Sequence, residues 1–84
     1  MLPTVMLTPG DRGSEVRALQ RTLVWLGYSP GAIDGIYGPK TKHALEAFQT
    51  RSKLAADGIL GPKTLAALRR TVGRARLDPL HSPG

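Results

Sequence analysis

Asp34-Gly-Ile-Tyr-Gly-Pro-Lys-Thr-Lys-His-Ala-Leu45 returns 23 residues later as Asp57-Gly-Ile-Leu-Gly-Pro-Lys-Thr-Leu-Ala-Ala-Leu68, with nine of the twelve positions identical. A chain of 84 residues has room for one domain. The same local structure must therefore be built twice around one core. Each copy carries the marks of a helix start. Proline suits the first helical position, because its missing N–H has no bond to make there. The glycine before it allows a tight turn, and the aspartate can accept backbone N–H groups in an Asx-type turn. Thr41 and Thr64 are expected to face inward, and Ile36 and Ile59 to tuck under the turns as plugs.

A third helix precedes these two. Val16, Leu19, Leu23 and Leu26 recur at spacings of 3, 4 and 3, which is one face of an α-helix. Ser14 is read as its N-cap, Glu15 as a favourable charge in its first turn, and Gly27 as its C-terminal glycine. The spacing predicts helices over about 14–26, 39–50 and 62–72. Thr41, Ala44, Leu45 and Phe48 form the inner stripe of the second. Leu65, Leu68 and Val72 form that of the third, which Gly73 is expected to stop. The fold class is all-α: a small three-helix bundle with two Asp-Gly loops preceding helices two and three. Residues 1–10 read as an extended lead-in, 11–72 as the domain, and 73–84 as a basic, proline-containing tail or linker.

Several function classes fall away. The chain has no cysteine, hence no disulfide and no thiolate. It has no H-E-x-x-H and no G-x-S-x-G. His43 and His81 stand far apart with no third ligand, a weak case for zinc. Asp34 and Asp57 hold equivalent turn positions, so nothing divides them into acid and base. No catalytic residue, cofactor or metal is expected. The amino terminus does not read as a signal peptide, and no window approaches the roughly 20 apolar residues of a membrane helix. Twelve basic residues against six acidic ones give +6, which favours an anionic partner.

The order G-D-R-G-S-E-V-R-A-L-Q, L-G-Y, D-G-I-Y-G-P-K-T, A-L-E-A-F-Q and D-G-I-L-G-P-K-T closely resembles the peptidoglycan-binding domain, type 1, of bacterial and phage cell-wall hydrolases. The match runs from about Leu7 to Leu68. The resemblance implies a three-helix, non-catalytic module that anchors an attached hydrolase, such as an endolysin, to peptidoglycan. It implies work at the cell wall, in the periplasm or outside the cell, and a partner made of glycan and stem peptide. Gln20, Gly27, Tyr28, Asp34, Gly35, Gly38, Thr41, Gln49, Asp57, Gly58, Gly61 and Thr64 match its pattern. Trp25, the segment 51–56 and the basic tail depart from it.

Five residues are candidates for ligand contact. Trp25 lies off the apolar stripe and can stack on a sugar face. Arg21 sits four positions before it and can grip a carboxylate with two parallel bonds. Tyr28 and Tyr37 offer hydroxyls from loops, and Asp34 joins them at the rim of the first Asp-Gly loop. Arg17, Lys40, Lys42, Lys63, Arg69 and Arg70 are read as mostly solvated. An alternative reading makes the bundle a structural or regulatory domain packing on its own catalytic domain. Nucleic acid is disfavoured, because the basic residues are spread and no loop cradles phosphate. A monomer that does not engage membrane is expected.

Overall fold

The computed structural model describes residues 2–77. Three helices follow in order: α1 (Ser14–Trp25), α2 (Pro39–Arg51) and α3 (Pro62–Leu77). Among the described residues there is no strand, only the isolated bridges Leu7–Leu60 and Arg12–Ile36. The chain is all-α. The stripes Val16/Leu19/Leu23, Ala44/Leu45/Phe48 and Leu65/Leu68 meet in one core with Leu7, Tyr37 and Leu60.

The lead-in is part of this core. Leu7 pairs with Leu60 through two backbone bonds of 3.1 and 2.8 Å. Further on, Gly10 N–H donates to Tyr37 O, Tyr37 N–H to Asp11 O and Gly13 N–H to Gly35 O, at 2.9–3.0 Å. The N-terminal segment thus lies across both repeat loops. Glu15 fastens its beginning: Oε1 accepts the Thr4 N–H at 2.7 Å.

Two expectations fail here for physical reasons. Ser14 does not cap α1. Gly13 holds the N-cap position without a side-chain bond, and Ser14 is already helical. Ile36 and Ile59 are not plugs. Each is 43% exposed, whereas the next residues, Tyr37 and Leu60, are buried. Successive side chains alternate sides along extended backbone. Pairing with the lead-in turns Tyr37 and Leu60 inward, so the isoleucines turn out.

Both α1 and α2 end in a Schellman motif. At α1, Tyr28 N–H donates to Leu23 O and Gly27 N–H to Val24 O, with Gly27 at φ 95°. At α2, Leu54 N–H donates to Gln49 O and Lys53 N–H to Thr50 O. Here the left-handed position is Lys53, at φ 60°. A side chain with a Cβ is strained in that conformation. Lys53→Gly is expected to stabilise the fold by about 0.5–1 kcal/mol, the relieved strain exceeding the added chain entropy. A urea melt showing no gain would contradict this.

Helix α3 does not stop at Gly73 but continues to Leu77. A single helical glycine costs only about 1 kcal/mol against alanine. Arg74, Ala75, Arg76 and Leu77 after it are good helix formers. The rest of the tail, with His81, lies outside the described residues.

Candidate functional site

Two buried glutamines set the helix positions. Gln20 Nε2 donates to Asp34 Oδ1, Ile36 O and Thr41 Oγ1 at 3.0, 3.0 and 3.1 Å. Its Oε1 accepts the Gly35 N–H at 2.9 Å. Gln49 repeats the pattern on Asp57 Oδ1, Ile59 O and Thr64 Oγ1 at 2.9, 3.0 and 3.1 Å, with Gly58 N–H on its Oε1 at 3.0 Å. Each glutamine ties its own helix to the next loop and to the first turn of the next helix. The carboxylates are committed as well. Asp34 Oδ1 also accepts the Ile36 N–H, and Asp57 Oδ1 the Ile59 N–H. The Gln20 amide, then the Ile36 N–H, holds Asp34 below the usual aspartate range. The Ile59 N–H, then Gln49, does the same for Asp57. Close approach requires glycine in the loop: a Cβ on Gly35, at φ 75°, would lie 3.1 Å from Gly13 O.

With α2 and α3 clasped in this way, the ends of α1 and α2 face one side of α3. Between them lies an open cleft of about 620 Å³. The end of α1 contributes Leu26, Gly27 and Tyr28; α2 contributes Phe48, Arg51 and Ser52; α3 contributes Ala67, Arg70, Thr71, Arg74 and Ala75. The α3 positions follow the 3–4 spacing of one helix face. The two alanines leave room there, and the Thr71 hydroxyl is spent on Ala67 O at 2.7 Å. Tyr28 stands edge-on to Phe48, with centroids 5.9 Å apart and planes at 88°. Phe48 is buried, so Tyr28 presents the outer edge of this pair.

The cleft is strongly basic. Arg51, Arg70 and Arg74 line it, are exposed, and no acidic residue lines it among the described residues. Arg70 and Arg74 are four apart on α3, a like-charge pairing that costs a helix about 0.2–0.5 kcal/mol. An anion between them would remove that cost. The cleft's hydroxyls, on Tyr28, Ser52 and Thr71, have no histidine or carboxylate beside them among the described lining residues to act as a base. Among the described residues no three metal-ligating side chains come together, and no helix is long and apolar enough to cross a membrane. The arrangement suits binding.

A family model of the peptidoglycan binding domain matches residues 12–68. The chain belongs to this family. The N-terminal domain of SleB superposes with a TM-score of 0.77 at 32% identity, covering 84% of this chain and 97% of that one. A peptidoglycan-binding protein from Clostridioides difficile, solved in complex with glutamine hydroxamate, gives 0.75 at 42%, covering 82% and 43%. The Burkholderia AP3 phage endolysin gives 0.73 at 38%, covering 88% and 34%. The N-acetylmuramoyl-L-alanine amidase CwlH of Bacillus subtilis is 41% identical across 61% of this chain and 23% of its own length. The chain thus spans about a quarter of that amidase.

In this peptidoglycan-binding domain the five candidate residues separate. Tyr28 lines the cleft. Arg21, exposed, and Trp25, half-buried, lie on α1 and do not line it. Asp34 is exposed, with Oδ1 bound in the first clasp. Tyr37 is the clear correction: it is 2% exposed and its hydroxyl donates to Gly58 O, so it has no hydroxyl to offer a ligand. His43 is exposed on α2. Sequence reasoning missed Arg51 and Arg74 as partners of Arg70. The signal was the i, i+4 spacing of Arg70 and Arg74, which appears only if α3 runs through Gly73.

Proposed function

We propose that this domain binds peptidoglycan without altering it and holds an attached cell-wall hydrolase on its substrate. The observation that carries the reading is the arginine-lined cleft in a chain of this family. Binding by one small module is weak, roughly micromolar to millimolar, because the contact area is small. Weak binding suffices for an enzyme carried on the same chain, whose local concentration at the insoluble wall rises. The work site is the cell wall, reached from the periplasm or from outside.

Protein-free sacculi provide the test, with the wild-type domain and Arg70→Glu, Arg21→Ala and Trp25→Ala compared at two salt concentrations. Arg70→Glu is expected to retain its thermal melt and lose at least about tenfold in binding, one reversed charge in a bidentate contact being sufficient for this. Loss confined to Arg21→Ala and Trp25→Ala would move the site to the α1 face. No binding by the wild type would favour a domain that packs on its own catalytic partner.

A further inference from the structure

We infer that the cleft recognises the peptide stems of peptidoglycan through a carboxylate, and not the glycan strand. The inference rests on the wall-binding reading above and assigns the ligand chemistry within it.

Charge complementarity is the first argument. Arg51, Arg70 and Arg74 bring three guanidinium groups from two helices to one cleft, and no described carboxylate lines it. The glycan backbone of peptidoglycan is uncharged where the lactyl group is amide-linked to the stem. The carboxylates sit on the peptide. Guanidinium groups match them with paired, directional hydrogen bonds.

The helix ends supply the second. Leu26, Gly27 and Tyr28 close α1, and Arg51 and Ser52 close α2, so two helix C-termini border the cleft. Helix C-termini carry partial negative charge and attract N–H donors or cations. Schellman bonds occupy the Leu23, Val24, Gln49 and Thr50 carbonyls. The helix ends therefore act on a ligand through their dipoles, which favour N–H groups beside the carboxylate over a second anion. A peptide carries both groups. A sugar ring lacks the carboxylate, and a phosphodiester wall polymer carries the anion without an amide N–H.

Third, the cleft lacks a flat platform for a sugar. Sugar recognition commonly uses an open aromatic face. Phe48 is buried beneath Tyr28, and Tyr28 is half-buried with its ring packed edge-to-face on Phe48.

The experiment titrates the ¹⁵N-labelled domain with four soluble probes. These are a synthetic stem tetrapeptide with free carboxylates, the same peptide with its carboxylates amidated, an N-acetylglucosamine tetramer, and poly(glycerol phosphate). The free peptide is expected to shift the amide signals of Tyr28, Arg51, Arg70 and Arg74, and amidation to weaken it at least about tenfold. Arg70→Lys keeps the charge and loses the fork. It is expected to weaken the free peptide about tenfold. Overturning results are shifts of these signals by the sugar tetramer with none by the peptide, an amidated peptide as tight as the free one, or tighter seating of the phosphate polymer. A domain that binds sacculi but shows no peptide shifts refutes the stem assignment alone. A domain that binds neither refutes both readings.

Discussion

Gln49→Leu is expected to lower the melting temperature by about 15–25 °C. The side chain is 1% exposed and makes four bonds. Leucine fills similar space but leaves the Gly58 N–H, the Ile59 carbonyl and the Thr64 hydroxyl without their partner. Each stranded buried group costs about 1–3 kcal/mol, giving about 3–5 kcal/mol together. A domain this small has only about 5–10 kcal/mol in total, and each kcal/mol moves its melt by about 4–8 °C. Gln20→Leu should do the same, since its clasp has the same bonds. Gln49→Glu adds a pH test. Its carboxylate would face Asp57 Oδ1, so two negative charges would meet at hydrogen-bond distance. That raises a folded-state carboxyl pKa, and the variant should regain stability as pH falls from 7 to 4.5. The wild type has the opposite sign. Asp34 and Asp57 are held below the ordinary value of 3.8, so their contribution is full above that range and lost as pH falls beneath it. A Gln49→Glu domain as stable as wild type at pH 7 would refute the clasp as described.

The helices were legible because their signals are local. Pro39 and Pro62 mark first positions by their own covalent geometry, and the Val16/Leu19/Leu23 stripe reports a buried face through spacing alone. The clasps were half legible. The recurrence of aspartate and threonine at fixed offsets announced a device used twice. The glutamines that close it stand 14 residues before Asp34 but only 8 before Asp57, so they fall outside the repeated word. What was misread depends on distant partners. Ile36 and Tyr37 are both apolar enough for burial, and pairing with residues 10–13 decides which one turns in. Gly73 reads as a stop until the helix formers after it are weighed. With it went Arg74, and with Arg74 the recognition that Arg70 belongs to a cleft and not to a solvated face.

Tyr37 provides the second large effect, and it separates a structural residue from a binding one. Tyr37→Ala is expected to cost about 3–5 kcal/mol, the range for emptying a large buried site. Tyr37→Phe keeps the ring and strands the Gly58 carbonyl, costing about 1–2 kcal/mol. The phenol is also a pH sensor for the fold. Burial, foremost, and the nearby Asp57 charge hold its ionisation far above the ordinary tyrosine value of 10. A group with a raised folded-state pKa contributes fully below its unfolded value and loses that contribution as pH rises past it. Wild type should therefore exceed Tyr37→Phe in stability at pH 7, and the gap should shrink or invert by pH 11, as read by urea unfolding of both. An unchanged gap would mean that the phenol ionises equally in folded and unfolded chains, contrary to its burial. Tyr37→Phe should also bind sacculi as the wild type does, because the residue lies in the core and does not line the cleft. Weakened binding in a folded Tyr37→Phe domain would return the first loop to the binding surface.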